Sequence, residues 1–227
     1  MKLKAAIIVF LGTNCDRDTK MALEECGFIA EFVFHTCTNL EGYDLVLLPG
    51  GFSFGDYIRA GRLAKLSPVT GAVKEYVKSG MGFVLGICNG FQILCEAGLL
   101  PGALVENANT RFISEDEPLV FNGRDIVLPI AHKEGRYWAC DADLDMIKKN
   151  NMNIITYKTN PNGSLDDIAG LYDSKHKIFG LMPHPERAVL KHCGLSDGKK
   201  VFDFIKNEII KIRKTPDVIS GGAYDRL

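Results

Sequence analysis

A cysteine between two glycines is the feature of this sequence best suited to chemistry. Cys88 follows the apolar run Phe83–Ile87 and precedes an amphipathic stretch that begins at Asn89. Gly86 and Gly90 stand two residues before and two residues after it. The same spacing around serine, G-x-S-x-G, forms a strained strand-to-helix turn, the elbow, that lifts a nucleophile above a sheet. At such a helix N-terminus the partial positive charge favours the thiolate, and the amide of the next residue can bind an oxyanion.

The alternative for Cys88 is a buried core cysteine on an ordinary loop, which is the commoner place for this residue type. We assign that role to Cys95, which has no glycine two residues to either side. Glycines at both positions are needed where side chains would clash with neighbouring backbone. The spacing therefore favours a nucleophilic thiol at Cys88.

A cysteine nucleophile needs a base, and the base needs a group that orients it. His184 and Glu186 follow an apolar run and are separated by Pro185. A residue before proline is biased away from the helical region. If Pro185 is extended as well, both side chains project to the same side, and the glutamate can hold one ring nitrogen while the other faces the thiol. The alternative is a loop histidine beside a solvated Glu186–Arg187 pair, but the presence of the elbow favours a catalytic pair.

Two further segments predict parts of the same pocket. Gly50 and Gly51 end the third apolar run, and consecutive glycines let a backbone amide approach a substrate. We expect the amides of Gly51 and Asn89 to form an oxyanion hole. Gln92, one helical turn after Cys88, could hydrogen-bond an amide substrate. Taken alone, Pro-Gly-Gly would be a plain turn and Gln92 a surface residue.

Composition and charge are those of an ordinary globular protein. Of the 227 residues, 46% are hydrophobic and 24% are charged. The formal net charge of -1 gives no electrostatic reason to expect nucleic acid or an anionic membrane as partner. The longest apolar runs are too short to span a bilayer, and we expect no signal peptide. The seven cysteines include no C-x-x-C pair, so we expect reduced thiols, no zinc site and a cytosolic location.

Alternation of apolar runs and amphipathic stretches predicts an α/β fold. We expect one three-layer α/β/α domain over residues 1–214, built on a mostly parallel sheet, and a tail at 215–227. The predicted strands are Ala5–Phe10, Phe28–Phe34, Asp44–Leu48, Phe83–Ile87, Ile126–Ala131, Ile154–Tyr157, Ile168–Tyr172 and Ile178–Met182. The predicted helices are Asp16–Cys26, Pro68–Lys78, Asn89–Ala97, Leu144–Asn150 and Gly198–Lys214.

The motifs resemble those of the class I glutamine amidotransferases. The elbow reads Gly86-Ile-Cys88-Asn-Gly90-Phe-Gln92, and the base segment reads Pro183-His184-Pro-Glu186. Other matching segments, at 49–61, 98–102, 129–132, 162–164 and 182–188, spread the resemblance over nearly the whole chain. It implies a flavodoxin-like sheet. The Gly-Asp56-Tyr block and Asn89 indicate a subfamily that supplies ammonia for purine biosynthesis.

This resemblance implies a glutaminase mechanism. Cys88 attacks the side-chain carboxamide of glutamine while the amides of Gly51 and Asn89 hold the oxyanion. His184, oriented by Glu186, protonates the departing ammonia and then activates water to hydrolyse a thioester. The resemblance further implies no metal on this chain, and substrate contacts from Gly50, Phe52, Gln92 and His132.

Two departures from the family pattern lie outside the elbow. Lys133 stands where the family has glycine in Ala-His-Gly-Glu-Gly, which leaves the roles of His132 and Glu134 open. The segment Leu104–Arg124 is shorter than in the family, so we expect one strand there to be missing or displaced.

The chemistry of ammonia bears on the partners. Ammonia becomes unreactive ammonium in water, so it must be handed over in a sheltered path. The chain contains no G-x-x-x-x-G-K-[ST] loop, so we expect ATP and Mg to be used by another polypeptide. The resemblance implies a large synthetase subunit together with a small third subunit. We expect the loop Gly51–Gly61 to help dock the synthetase, through Phe52, Phe54, Tyr57 and Arg59.

Two other functions remain open at this point. One is an amidotransferase that feeds a different acceptor, which only the Gly-Asp56-Tyr block and Asn89 argue against. The other is a non-enzymatic regulatory or redox protein with an elbow cysteine. Such a protein has no need of His184 and Glu186, and it would release no glutamate from glutamine.

Overall fold

Eleven strands and five α-helices form within residues 2–190 and 194–214, the part of the chain that the computed structural model describes. The tail predicted at 215–227 lies outside this part. The helices are α1 (Asp16–Glu25), α2 (Pro68–Ser79), α3 (Asn89–Glu96), α4 (Asp141–Lys149) and α5 (Gly198–Lys214). None of these five is long and apolar enough to cross a membrane. The strands are β1 (Lys4–Val9), β2 (Ile29–Phe34), β3 (Leu45–Leu48), β4 (Phe83–Ile87), β5 (Ala103–Val105), β6 (Ile113–Phe121), β7 (Arg124–His132), β8 (Arg136–Trp138), β9 (Ile155–Tyr157), β10 (Ile168–Asp173) and β11 (Ile178–Leu181).

The main sheet has a parallel half and an antiparallel half. Its nine strands follow the order β2-β1-β3-β4-β11-β10-β9-β6-β7, and β5 pairs with β8 in a separate ribbon. The first five strands in this order, namely β2, β1, β3, β4 and β11, run parallel to one another. Every pairing from β11 to β7 is antiparallel. The parallel half has the 2-1-3-4-5 order of flavodoxin-like sheets, which confirms the predicted fold class.

Three strands outside the parallel half were not predicted from the sequence pattern. β6 occupies the segment where we expected a strand to be missing or displaced, and β5 and β8 were not predicted either. β6 reads Ile-Ser-Glu-Asp-Glu-Pro-Leu-Val-Phe, so it lacks the apolar run of a buried parallel strand. Its Pro118 is tolerated because β9 pairs only with Leu119–Phe121. α4 begins at Asp141 rather than at the predicted Leu144.

Helices cover both faces of the parallel half. Because β-α-β connections are right-handed, α1 lies on one face, while α2 and α3, which lead towards β11, lie on the other. α5 packs beside α1: Lys206 donates to the carbonyl of Cys26 at 2.9 Å, and Lys199 pairs with Glu25 at 3.1 Å. The carboxyl ends of the parallel strands meet at one edge, where ligands bind in such sheets.

The turn between β4 and α3 is the elbow that the glycine spacing predicts. Cys88 has φ 50° and ψ -105°, a conformation outside the regular regions. A Cβ on Gly90 would lie 1.9 Å from the carbonyl oxygen of Leu48 in β3. A Cβ on Gly86 would lie 2.7 Å from the carbonyl oxygen of Gly90. The first turn of α3 is therefore so close to β3 and β4 that only glycine fits at either position.

We predict that Gly90→Ala lowers the free energy of unfolding by about 2 kcal/mol or more, because the added methyl group meets rigid backbone. Urea unfolding followed by circular dichroism measures the change. Gly71→Ala is the matched control, since Gly71 lies in α2 with nothing within 4 Å of its Cβ position. Alanine there is expected to raise stability by about 1 kcal/mol. Equal stabilities of Gly90→Ala and wild type would contradict this account.

Candidate active site

The elbow brings Cys88 beside the segment that follows β11. β4 and β11 are adjacent parallel strands, and the amide of Cys88 donates to the carbonyl of Leu181, the last residue of β11, at 2.8 Å. Cys88 and His184 line one cavity of about 500 Å³. Sγ of Cys88 lies 3.8 Å from the carbonyl oxygen of Ala131, which belongs to the same cavity wall. The residues predicted as nucleophile and base therefore open onto the same space.

His184 and Glu186 form a buried hydrogen-bonded pair. Nδ1 of His184 lies 2.6 Å from Oε1 of Glu186, and their side chains are 2% and 0% exposed. Nε2 of His184 has no hydrogen-bond partner among the described residues. Burial alone would lower the pKa of His184, but the charge of Glu186, and then that of Cys88, raise this pKa well above its usual value. The imidazole is therefore held in its cationic form, with Nε2 available to a group in the cavity.

The pair is assembled by a turn rather than by an extended segment. His184 has φ -104° and ψ 83°, outside the helical region, as predicted for a residue before proline. Pro185 then begins a 3₁₀ turn over Pro185–Ala188, so the condition of an extended Pro185, under which the two side chains were expected to share a side, is not met. The turn folds the chain back and carries the carboxylate of Glu186 to Nδ1.

The two amides predicted to form an oxyanion hole follow neighbouring strands. Gly51 comes after β3, and Asn89 comes after β4 as the first residue of α3. Within residues 2–190 and 194–214, neither amide donates a hydrogen bond. Gly51 has φ 148°, and a Cβ there would lie 2.8 Å from the amide nitrogen of Asn14. Gly50 lies behind the imidazole, where its Cβ would be 2.8 Å from Cε1 of His184, so it makes room for the ring and is not part of the cavity wall.

Asn89 and Gln92 connect two loops to α3 through their side-chain amides. Oδ1 of Asn89 accepts from the amide of Ser53 at 3.1 Å. Its Nδ2 donates to Oδ1 of Asp56 at 3.2 Å and to Oε1 of Gln92 at 2.9 Å. Nε2 of Gln92 donates in turn to the carbonyl of Glu134 at 2.6 Å. Gln92 lies in the cavity wall, as expected, but much of its hydrogen-bonding capacity is taken by the protein.

His132 is buried in the cavity wall with its tautomer fixed. Its Nδ1 lies 3.1 Å from Oδ1 of Asn107, an acceptor, so Nδ1 carries the proton. Nδ2 of Asn107 donates to the carbonyls of Arg111 and His132, which sets the orientation of that amide. Burial, and then the charge of His184, lower the pKa of His132 to about 4. Nε2 is therefore an acceptor at neutral pH, and it has no partner in the described part of the chain.

Lys133 and Phe52 also line the cavity. φ of Lys133 is not positive, so a side chain is accommodated without strain where the family has glycine. Its carbonyl accepts from the amide of Asn107 at 2.8 Å, and its ammonium group pairs with Glu106 at 3.0 Å. Phe52 is 49% exposed and leaves an aromatic face beside Gly51.

Cys15 and Arg187 line the cavity but were not predicted as site residues. Nη2 of Arg187 lies 3.1 Å from Sγ of Cys15. Sγ of Cys15, a ring nitrogen of His184 and a carboxylate oxygen of Glu186 lie within 4.8 Å of one another. This spacing would suit a metal ion, but the guanidinium of Arg187 already supplies positive charge there, with Nε 3.9 Å from Glu186. The available signal was the position of Cys15, at the end of the loop between the first parallel strand and α1.

The doubly wound sheet, the elbow and the buried histidine–glutamate pair define a glutamine amidotransferase. Residues 2–195 match the family described as the CobB/CobQ-like glutamine amidotransferase domain, and the chain belongs to this family. Among individual proteins, one that is similar to the chain is phosphoribosylformylglycinamidine synthase subunit PurQ from Ruegeria sp. (strain TM1040). It is 45% identical to the chain in an alignment 213 residues long, and the alignment covers 88% of this chain and 96% of the relative.

Two solved structures are similar to the chain. One is the structure of PurLQS from Thermotoga maritima, which is 40% identical with a TM-score of 0.83, over 91% of this chain and 99% of the chain compared. The other is a putative GMP synthase subunit from Thermoplasma acidophilum. It is 17% identical with a TM-score of 0.65, over 94% and 97% of the two chains, and this likeness concerns the fold alone.

The low pKa of His132 predicts a pH-dependent stability. Its pKa is lowered from 6.5 to about 4, so its contribution to stability is present above pH 6.5 and is lost as the pH falls towards 4. We expect the free energy of unfolding of the wild type to fall by about 2 kcal/mol relative to that of His132→Asn when the pH is lowered from 7.5 to 5. Urea unfolding at the two pH values measures it. A difference that stays constant with pH would show that His132 is not held neutral.

Proposed function

We propose that the chain is the glutaminase subunit of phosphoribosylformylglycinamidine synthase. The observation that carries the proposal is the buried pair of His184 and Glu186 beside Cys88 at the elbow, in a chain 45% identical to a PurQ subunit. The subunit hydrolyses glutamine to glutamate and ammonia. It passes the ammonia to a synthetase subunit that converts formylglycinamide ribonucleotide to formylglycinamidine ribonucleotide, in the biosynthesis of the purine nucleotide IMP.

Cys88 is the nucleophile of the proposed reaction. Its sulfur attacks the carboxamide carbon of glutamine, and the amides of Gly51 and Asn89 bind the oxyanion that forms. Their lack of other acceptors in the described residues supports this role. His184 is cationic beside Cys88, so its Nε2 can donate a proton to the leaving nitrogen. Ammonia departs, and a γ-glutamyl thioester remains on the sulfur.

Hydrolysis of the thioester uses the same base. After giving up its proton, His184 is neutral and can accept a proton from a water molecule through Nε2. The resulting attack expels the sulfur of Cys88 as the thiolate, releases glutamate and leaves His184 cationic again. Oε1 of Glu186 accepts a hydrogen bond from Nδ1–H of His184, with 2.6 Å between the two heavy atoms, and this bond keeps the required tautomer through both half-reactions.

The remaining predicted contacts are assigned by what each group offers to glutamine. Nε2 of His132 is an unfilled acceptor in the cavity, suited to an N–H of the carboxamide. Gln92 keeps one N–H and one lone pair beyond its bonds to Asn89 and Glu134. Phe52 contributes an aromatic face next to Gly51.

The partners follow from the fate of ammonia. We assign ATP and Mg to the synthetase subunit, since the sequence has no phosphate-binding loop of the G-x-x-x-x-G-K-[ST] type. The proposed partners are a large synthetase subunit together with a small third subunit, in line with the name PurLQS of the similar structure. The six cysteines within the described residues are all free, which supports a reducing cytoplasmic location.

We predict that Cys88→Ala abolishes glutamate release and that Glu186→Gln lowers kcat by about 100-fold or more, because the imidazole loses the group that orients it. The assay measures glutamate from glutamine in the complex with the synthetase subunit, formylglycinamide ribonucleotide and ATP. Cys140→Ser, at an exposed cysteine, is the matched control and is expected to leave the rate unchanged.

Retained activity in Cys88→Ala would exclude the proposed nucleophile. Glutamate release that responds to a different ammonia acceptor, and not to this synthetase, would point to an amidotransferase of another pathway. Absence of glutamate release in every combination, with active partner controls, would return the chain to the regulatory alternative.

The loop predicted to dock the synthetase divides into an anchored part and an exposed part. Phe54 packs edge-on against Phe10 and His35, with ring centroids 6.2 and 5.3 Å apart. Arg59 forms an ion pair with the largely buried Glu96. Tyr57 and Ile58 are 73% and 84% exposed, so they carry the apolar surface that a partner would cover. We therefore propose Tyr57 and Ile58, rather than Arg59, as the docking residues.

We expect the double variant Tyr57→Ala, Ile58→Ala to weaken binding to the synthetase subunit by about 10-fold or more, because two exposed apolar side chains lose their burial at the interface. Co-purification and titration of the tagged chain measure the change. Met81→Ala is the control: Met81 is 53% exposed and precedes β4, at the opposite edge of the sheet from the cavity. Unchanged affinity of the double variant would place the interface elsewhere.

A further inference from the structure

Two carboxylates from different loops lie in the wall of the cavity that Cys88 lines. We infer that Asp56 and Glu134 form the binding site for the α-ammonium group of the amino-acid substrate. The inference rests on the proposed glutaminase function and deepens it, because it assigns the end of glutamine that does not react. Such a site would select an amide that carries an α-ammonium group over a simple amide.

Each carboxylate is held at one oxygen and open at the other. Oδ1 of Asp56 accepts from Nδ2 of Asn89 at 3.2 Å. Oε2 of Glu134 accepts from the amide of Ala60 at 3.2 Å. The second oxygen of each group has no hydrogen-bond partner in the described residues. The two groups are therefore oriented by the protein but retain acceptors for a ligand.

The two negative charges act on each other without a cation between them. Burial, and then the charge of Glu134, raise the pKa of Asp56 to about 6. The nearby cations are engaged elsewhere. Lys133 pairs with Glu106, and Arg187 contacts Cys15 and Glu186. A bound ammonium group would relieve this repulsion with charge-assisted hydrogen bonds.

His132 independently indicates what kind of ligand the cavity takes. Its side chain is 3% exposed, lines the cavity, and presents an unpartnered Nε2 that can only accept at neutral pH. The charge of His184 lowers the pKa of His132, which places His132 at the catalytic end. The cavity therefore needs a donor at the catalytic end and a cation at the carboxylate pair. Glutamine supplies both, as a carboxamide N–H and an α-ammonium group.

The loop that carries Asp56 is strained in a way that a purely structural loop would avoid. Phe54, Asp56 and Ile58 have φ of 54°, 52° and 75°, values that side chains rarely adopt. Such conformations persist where surrounding contacts impose them, and they cluster at functional sites. Here the bond from Ser53 to Asn89 fixes the start of the loop at 3.1 Å. The conformation brings the carboxylate of Asp56 into the cavity wall.

The test compares L-glutamine with glutaramate, which is glutamine without its α-ammonium group, in the complex with the synthetase subunit. The measured quantity is the ratio of kcat/KM for the two substrates. We expect Asp56→Asn to lower this ratio by about 10- to 100-fold, mainly through KM for glutamine, and Glu134→Gln to lower it as well. The asparagine can still accept the bond from Asn89, so the loop keeps its anchor. Glu75→Gln, at an exposed carboxylate of α2 that does not line the cavity, is the control and should leave the ratio unchanged.

A second measurement separates this inference from the proposed function. Calorimetry of Cys88→Ala in the same complex measures binding of glutamine and glutaramate without turnover, and Asp56→Asn added to it should abolish the preference for glutamine. Hydrolysis of glutamine with a wild-type ratio in both Asp56→Asn and Glu134→Gln would overturn the inference and leave the function standing. Neither binding nor hydrolysis of glutamine by the wild-type complex would overturn the function itself.

Discussion

The whole site depends on one close approach, between the first turn of α3 and the end of β3. The Cα of Gly90 lies so near the carbonyl oxygen of Leu48 that no side chain fits between them. This contact brings the start of the helix down onto the sheet, and it forces Cys88 into its unusual conformation above the strand ends. Cys88, the proposed nucleophile, therefore stands at the edge where β3, β4 and β11 all end, which is why residues from three distant segments can reach it.

Asn89 converts this backbone constraint into an ordered pocket. Its amide nitrogen, at the start of α3, donates no hydrogen bond within the described residues, while its side chain makes three bonds to the protein. Through Ser53, Asp56 and Gln92, the side chain holds the loop after β3 against the helix, and Gln92 carries the connection on to Glu134. A single residue thus provides a candidate oxyanion donor and fixes the position of two loops. Any residue except proline would supply the backbone N–H, but few side chains could make all three side-chain bonds.

The parts of the structure that follow from local pattern could be predicted from the sequence, and the parts that depend on long-range partners could not. The parallel strands and their helices were predicted within two residues because buried strands and amphipathic helices have clear periodicities. β6 was missed because its charged residues and Pro118 suit only an antiparallel strand with one partner over most of its length. The positive φ of Phe54 and Asp56 was not predicted either, because the contacts that hold this loop, such as the bond from Ser53 to Asn89, come from another element.

The distribution of charge in the cavity argues that this site was shaped for chemistry rather than for stability. A buried ion pair such as His184–Glu186 contributes little net stability, because the desolvation of both groups offsets their attraction. Removing one partner would nevertheless be costly, at about 3–5 kcal/mol, since the other charge would remain buried and unpaired. The ion pairs on the surface of this chain remain hydrated, so breaking one leaves no buried charge, and each contributes about 1 kcal/mol or less. A pair that stabilises so little and constrains so much fits the proposed catalytic role of His184, whose Nε2 has no partner among the described residues and lies near Cys88.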